Sequence, residues 1–226
     1  MIKGYIERAP QVMQFSGGTG LRGFNNVPRF LSEPSAAPGV SFQIRTTTAG
    51  GYYLVATGGE VTNIQGVSLD CYNGNYRAIV ANATKSWFCP FKVAPQANDN
   101  ILAVWDGAKL DLWLNGALRA TATTSTAGTN TPSNTICFGR SSNGAFQLVG
   151  ELAEFSAWPY ALTPEQCAYV SKRNFSELMP GQVMVKLDRL VNGATPWIGT
   201  DLAPIPLEPT NPGVTMLNEE LQFKFD

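Results

Sequence analysis

Residues 100–124, NILAVWDGAKLDLWLNGALRATATT, decide the fold. Asp106-Gly107 and Asn115-Gly116 are hairpin signals, because tight type I′ turns need positive φ at their central residues. Between them Leu110, Leu112 and Leu114 point one way while Asp111 and Trp113 point the other. The segment ALRATATT then returns as a partner strand. Three antiparallel strands, each buried on one face, account for the whole stretch.

The same period of two continues outward. In VSFQIRTTT, Val40, Phe42 and Ile44 alternate with Ser41, Gln43 and Arg45. The runs at 51–59, 66–74 and 75–83 alternate similarly, each ended by Gly or Asn, and 135–140 and 148–158 are also strand-like. VMQF at 12–15 fits a further strand. One helix is signalled. Thr163-Pro164-Glu165-Gln166 is a capping box with Pro at the first helical position, and Leu162 is placed to staple to Cys167. The helix should run to Arg173 or Phe175. Evenly spaced short strands with one late helix specify an all-β protein: a two-sheet antiparallel jelly-roll sandwich.

Composition agrees. The 226 residues are 44% hydrophobic and 11% aromatic, and only 15% charged. A chain of this size closes a core without a disulfide or metal staple. The net charge of −1 gives no electrostatic basis for capturing nucleic acid or an anionic membrane. There is no histidine, which removes the Ser-His-Asp triad, the Cys-His dyad and His-ligated zinc. Cys71, Cys89, Cys137 and Cys167 are widely spaced, and the expectation is four buried small hydrophobes. The start lacks the apolar core of a secretory signal, and apolar runs such as ILAVW at 101–105 are too short to cross a bilayer.

Residues 177–226 differ from 1–176. They hold six of the fifteen prolines, with three basic and seven acidic residues for a net of −4; the rest, with thirteen basic and ten acidic, carries +3. Yet the segment keeps Trp197 and Ile198, and ends in alternating Leu221, Phe223 and Phe225. The expected organisation is a jelly roll over 1–176 and an extended, Pro-rich assembly arm over 177–226. The arm should dock on its own body, a neighbouring copy or another protein.

The run AVWDGAKLDLWLNGALRATA, followed by TICFGRSSNGAFQLVGELAEFSAWPYALTPEQCAYV, resembles the laminin-G-like branch of the concanavalin A-like lectin/glucanase superfamily. The resemblance lies in the DG…NG hairpin, the FGR strand, the GELAEF strand and the closing capped helix, and it covers roughly 12–175. It implies two stacked antiparallel sheets. It also implies one of several activities: sugar binding, protein binding or, in some branches, glycan hydrolysis. Fold alone does not choose among them.

Candidate sites follow. The branch resembling family-16 glycosidases sets two carboxylates on one strand face, about 5–5.5 Å apart for retaining chemistry. Here Glu151 and Glu154 flank Ala153, and a regular strand would turn them to opposite faces. No catalytic residue is assigned, and the protein is read as a non-enzyme. Sugar binding needs an aromatic platform beside hydrogen-bonding groups. Trp113, with Asp111 and Asn115, and Tyr72 are the candidates, against a competing reading in which such aromatics are packed. Asp70, Asn73 and Asn75, and Asn98, Asp99 and Asn100, form polar clusters with one carboxylate each. That is too few for calcium, so turn formation is expected, with no metal and no cofactor.

The resulting expectation is a non-enzymatic structural and binding protein of a bacteriophage virion, as a capsid decoration or tail/fibre component assembled in the host cytoplasm. Its partners would be other virion proteins, copies of itself or a surface glycan. An exported carbohydrate-binding module is the alternative, and a degenerate glycoside hydrolase a distant one.

Overall fold

A computed structural model describes residues 12–16, 21–24, 27–46, 53–58, 63–141, 148–171, 182–186, 194–195, 197–198, 205–209 and 214–217. The strands are β1 (Val12–Ser16), β2 (Leu21–Phe24), β3 (Val40–Thr46), β4 (Tyr53–Ala56), β5 (Gly66–Tyr72), β6 (Asn75–Ala81), β7 (Lys85–Lys92), β8 (Asn100–Trp105) and β9 (Leu110–Leu114). They continue with β10 (Ala117–Ala122), β11 (Ser125–Ala127), β12 (Thr135–Phe138), β13 (Val149–Trp158), β14 (Val183–Lys186), β15 (Ala194–Thr195), β16 (Trp197–Ile198), β17 (Ile205–Pro209) and β18 (Val214–Leu217). A one-turn helix α1 (Arg29–Ser32) precedes β3, and α2 (Pro164–Val170) follows β13.

The first sheet has the order β10-β9-β8-β3-β13-β1-β18, with β14 and β16 continuing beside β13; the second runs β11-β7-β6-β5-β4-β12-β2-β17-β15. The all-β, two-sheet antiparallel sandwich is the expected one. Asn115 and Gly116 (φ 52° and 79°) make the two-residue turn between β9 and β10. Asn73 and Gly74 (φ 49° and 70°) make the same turn between β5 and β6. At 106–109 the loop is longer. Asp106 accepts from the Ala108 and Lys109 amides, and only Gly107 needs positive φ.

The core lies between the sheets. Val40, Phe42, Ile44, Leu110, Leu112 and Phe155 of the first sheet meet Val67, Leu69, Tyr76, Val80 and Phe138 of the second. Two aromatic contacts bridge the layers edge to face: Trp87 with Trp105 at 5.2 Å between ring centres, and Phe138 with Phe155 at 5.5 Å. All four cysteines are buried and none forms a disulfide. Burial pushes the thiols of Cys71 and Cys89 up to about 11 and that of Cys167 up to about 12.

The helix begins as read. Thr163 caps the Gln166 amide, Gln166 returns the bond to the Thr163 amide, and Leu162 and Cys167 share one apolar cluster. Its last helical residue is Val170, short of the expected Arg173.

The segment from 177 joins both sheets of its own body. β14 pairs with β13, β18 with β1, and β17 with β2. Trp197 and Ile198 pair through their backbones with Val185 and Met184. Leu221, Phe223 and Phe225 lie outside the described residues.

Candidate binding face

The structure divides the expected sugar-binding residues between opposite outsides of the sandwich. Asp111 and Trp113 are on the outer face of the first sheet, on β9. Tyr72 is on the outer face of the second, at the end of β5. They form no common site.

Trp113 is not an open platform. Only 9% of it is exposed, because α2 crosses this face and builds a second core from Leu102, Val104, Trp113, Trp158, Leu162, Cys167 and Val170. Asp111 is buried beside it and accepts from Lys109 Nζ at 2.7 Å and Thr121 Oγ1 at 2.6 Å. Asn115 is committed at its turn. It accepts from the Asn100 amide and donates to Asp99 Oδ1, both at 2.8 Å. These three side chains hold the hairpin and its covering helix.

Asp99 explains the second polar cluster. Its carboxylate accepts from Tyr76 Oη at 2.7 Å, the Gln96 amide at 2.8 Å and Asn115 Nδ2 at 2.8 Å. Its oxygens are occupied by protein donors, as turn formation requires. Burial, reinforced by the bond to Asp99, pushes the Tyr76 hydroxyl well above the ordinary tyrosine range.

The outer face of the second sheet is built differently. The Asn73-Gly74 turn sets Asp70 directly opposite Arg77. Arg77 donates from Nε to Asp70 Oδ1 and, at 2.9 Å, from Nη2 to Oδ2, a two-pronged pair with a fully buried carboxylate. The guanidinium carbon lies 4.6 Å from the Tyr72 ring centre and 5.7 Å from that of Phe88 on β7. Three adjacent strands thus supply a ring, a guanidinium plane and a second ring. Phe88 is 49% exposed, and Ile79 and the exposed Pro90 continue the surface beside it. Such a face can stack on the C–H side of a sugar ring or on a partner's apolar side chain. Arg77, itself partly exposed, adds directional N–H groups.

Of these residues, sequence reasoning named Tyr72 as a site and missed Arg77 and Phe88. Strand β7, KSWFCPFK, is absent from the sequence reading, and it carries Pro90. The structure tolerates that proline where β7 has no second neighbour among the described residues, since β11 pairs only with 85–87. The Asp70–Arg77 pair was available in the sequence: a two-residue turn at 73–74 forces 70 to face 77.

The expectation for Glu151 and Glu154 needs correction. Strand β13 is not regular. Its register shifts between Leu152, opposite Thr46, and Glu154, opposite Arg45, so Ala153 sits in a bulge. Leu152 and Thr46 are buried on the inner side, whereas Glu154 shares the outer side with Arg45. Opposite facing of 151 and 154 therefore does not follow from strand alternation. The Glu151 side chain lies outside the described residues. Among the described residues, no group of three or more acidic, Cys or His side chains is placed to hold a metal ion.

No curated protein sequence matches the chain. Solved structures with the same fold include a native heptameric SAP-like pentraxin from Limulus polyphemus. It is 15% identical with a TM-score of 0.52, over 92% of this chain and 94% of that one. A candidate carbohydrate-binding protein from Bacteroides ovatus ATCC 8483 is 13% identical with a TM-score of 0.59, over 92% of this chain and 59% of that one. Domain 4 of a GH43 extracellular arabinanase from Geobacillus stearothermophilus, solved with arabinotriose, is 13% identical with a TM-score of 0.51, over 70% and 75%. At these identities the likeness is one of fold. Residues 28–168, well over half of the chain, match a laminin-G-type family model, and the chain belongs to the concanavalin A-like lectin/glucanase superfamily.

Proposed function

We propose that the chain is a non-enzymatic structural and binding protein of a bacteriophage particle, a capsid decoration or tail/fibre component, and that it recognises a surface glycan. The observation that carries the binding reading is the Tyr72–Arg77–Phe88 row on the outer face of the second sheet. Locking Arg77 against buried Asp70 removes its conformational freedom before a ligand arrives, so little ordering cost remains at binding. The same lock commits the face's buried carboxylate to Arg77, which favours binding over acid-base chemistry. The solved sugar complex of the arabinanase domain is consistent with a glycan on this fold. A glycan array read with the full chain, the Phe88→Ala variant and the Tyr72→Ala variant tests the reading. Signal for the parent chain that both variants lose supports it. An array that stays blank while a purified protein partner binds through Phe88 would replace glycan by protein.

The particle context has weaker support of two kinds. Four buried cysteines that form no disulfide suit folding in a reducing cytoplasm. The apolar residues beyond Leu217, Leu221, Phe223 and Phe225, suit strand addition to a neighbouring copy or virion protein. Detection of the chain in purified particles by mass spectrometry, and its loss from them when residues 218–226 are removed, tests both together. Four oxidised cysteines in the natural protein would favour the exported carbohydrate-binding module instead.

A further inference from the structure

The outer face of the first sheet carries two buried amides that the second core does not use. Gln43 on β3 is 1% exposed and Asn100 on β8 is 2% exposed. Among the described residues, neither side-chain nitrogen nor oxygen of either residue has a hydrogen-bond partner. Their positions are neighbours. Gln43 lies opposite Leu102, and Arg45, two residues on, lies opposite Asn100. That diagonal spacing is roughly 7–8 Å. On the other side of β3, Ser156 lies opposite Gln43, fully buried, and accepts from Gln182 Nε2 at 3.3 Å. Gln182 immediately precedes β14, so this polar row reaches the point where the C-terminal segment joins the body.

Leaving two amides dry side by side would be strongly unfavourable, since each buries two N–H donors and a carbonyl acceptor. Their chemistry restricts what could satisfy them. A cation meets only the carbonyls, an anion only the N–H groups, and an apolar guest neither. A hydroxyl both donates and accepts. The near-complete burial admits only a small molecule, and the diagonal spacing is one that one or two linked hydroxyl groups can bridge.

We propose that Gln43, Asn100 and Ser156 form an internal hydroxyl-binding site on the outer face of the first sheet, occupied by one or two ordered water molecules. The site sits between β8, β3 and β13, beside the polar contact made by the C-terminal segment. It is independent of the glycan face on the second sheet.

The test has two readouts. On the unmodified protein, water-to-amide nuclear Overhauser effects should connect the Gln43 and Asn100 side-chain protons to long-lived water. In parallel, Gln43→Met and Asn100→Leu keep bulk and remove the amides. Each should lower the melting temperature by about 2–8 °C. The double variant should lose less than the sum of the two, because both amides bind the same guest. Glycerol and monosaccharide titrations separate the sources of the hydroxyl. No saturable shift identifies water, whereas a saturable rise in the parent chain that Gln43→Met lacks identifies a small polyol. Gln43→Met raising the melting temperature, or the absence of water contacts together with no saturable shift, would overturn the site. If either variant fails to fold, the measurement on the unmodified protein decides.

Discussion

The two outer faces of this sandwich are made of similar alternating strands and come to different ends. On the first sheet, Trp113 projects outward from β9 and is sealed beneath α2 with Trp158, Leu162 and Val170. On the second, Phe88 projects outward from β7 and stays half exposed beside a locked guanidinium. What separates them is the late helix, which has its capping box and staple on one side of the sandwich only. An outward aromatic on a strand is therefore an exposed residue or a core residue according to what the chain does some fifty residues later.

The largest expected effect lies on the covered face. Trp113→Ala should destabilise by about 3–5 kcal/mol, as for other buried aromatics, measured by chemical denaturation. A loss below about 1 kcal/mol would mean that α2 does not seal this face, and the contrast would collapse.

Next is the pair beneath the open face. Arg77→Met takes the guanidinium away from the buried Asp70 carboxylate, and broken buried pairs cost about 3–5 kcal/mol. Asp70→Asn combined with Arg77→Met should recover part of that loss, because it removes the uncompensated charge. Failure to recover would show that Arg77 acts through packing between Tyr72 and Phe88 and not through charge.

Both cores can be compared by raising the pH. Burial raises Cys71 and Cys89 to about 11 and Cys167 to about 12 from an ordinary 9.0. A thiol whose folded value is raised contributes stability that is intact below about 9 and is lost as pH climbs through 11–12. The melting temperature should therefore hold to about pH 9 and then fall, with Cys71→Ala and Cys89→Ala flattening the decline up to about pH 11 and Cys167→Ala flattening it throughout, up to about pH 12. A flat profile to pH 11 would show that the thiols do not titrate with unfolding.

The sandwich was legible where local chemistry is strict. Asn73-Gly74, Asn115-Gly116 and the Thr163 capping box each determine a backbone geometry by themselves, and each is found as read. Strand β7 holds Pro90, whose cost depends on whether its strand edge is paired, a fact settled elsewhere in the chain. The bulge at Ala153 was hidden because alternation presumes a regular strand, and only pairing with β3 reveals the shift. The proposed binding face was half legible. Tyr72 and the Asp70–Arg77 pairing follow from one turn, but Phe88 arrives from a third strand. The reach of 177–226 was open in the sequence, and its pairing with β13, β1 and β2 depends on edges that the body leaves available.

The smallest expected change in stability tests the central claim most directly. Phe88→Ala removes an exposed ring and should alter folding stability by no more than about 0.5 kcal/mol. With a glycan ligand found for the parent chain, titration calorimetry should show its affinity reduced by about tenfold or more, the order expected for one lost stacking contact. Trp113→Phe, which keeps the second core filled, should bind as the parent chain does. The account is contradicted if Phe88→Ala binds with unchanged affinity while Trp113→Phe, equally stable, loses binding.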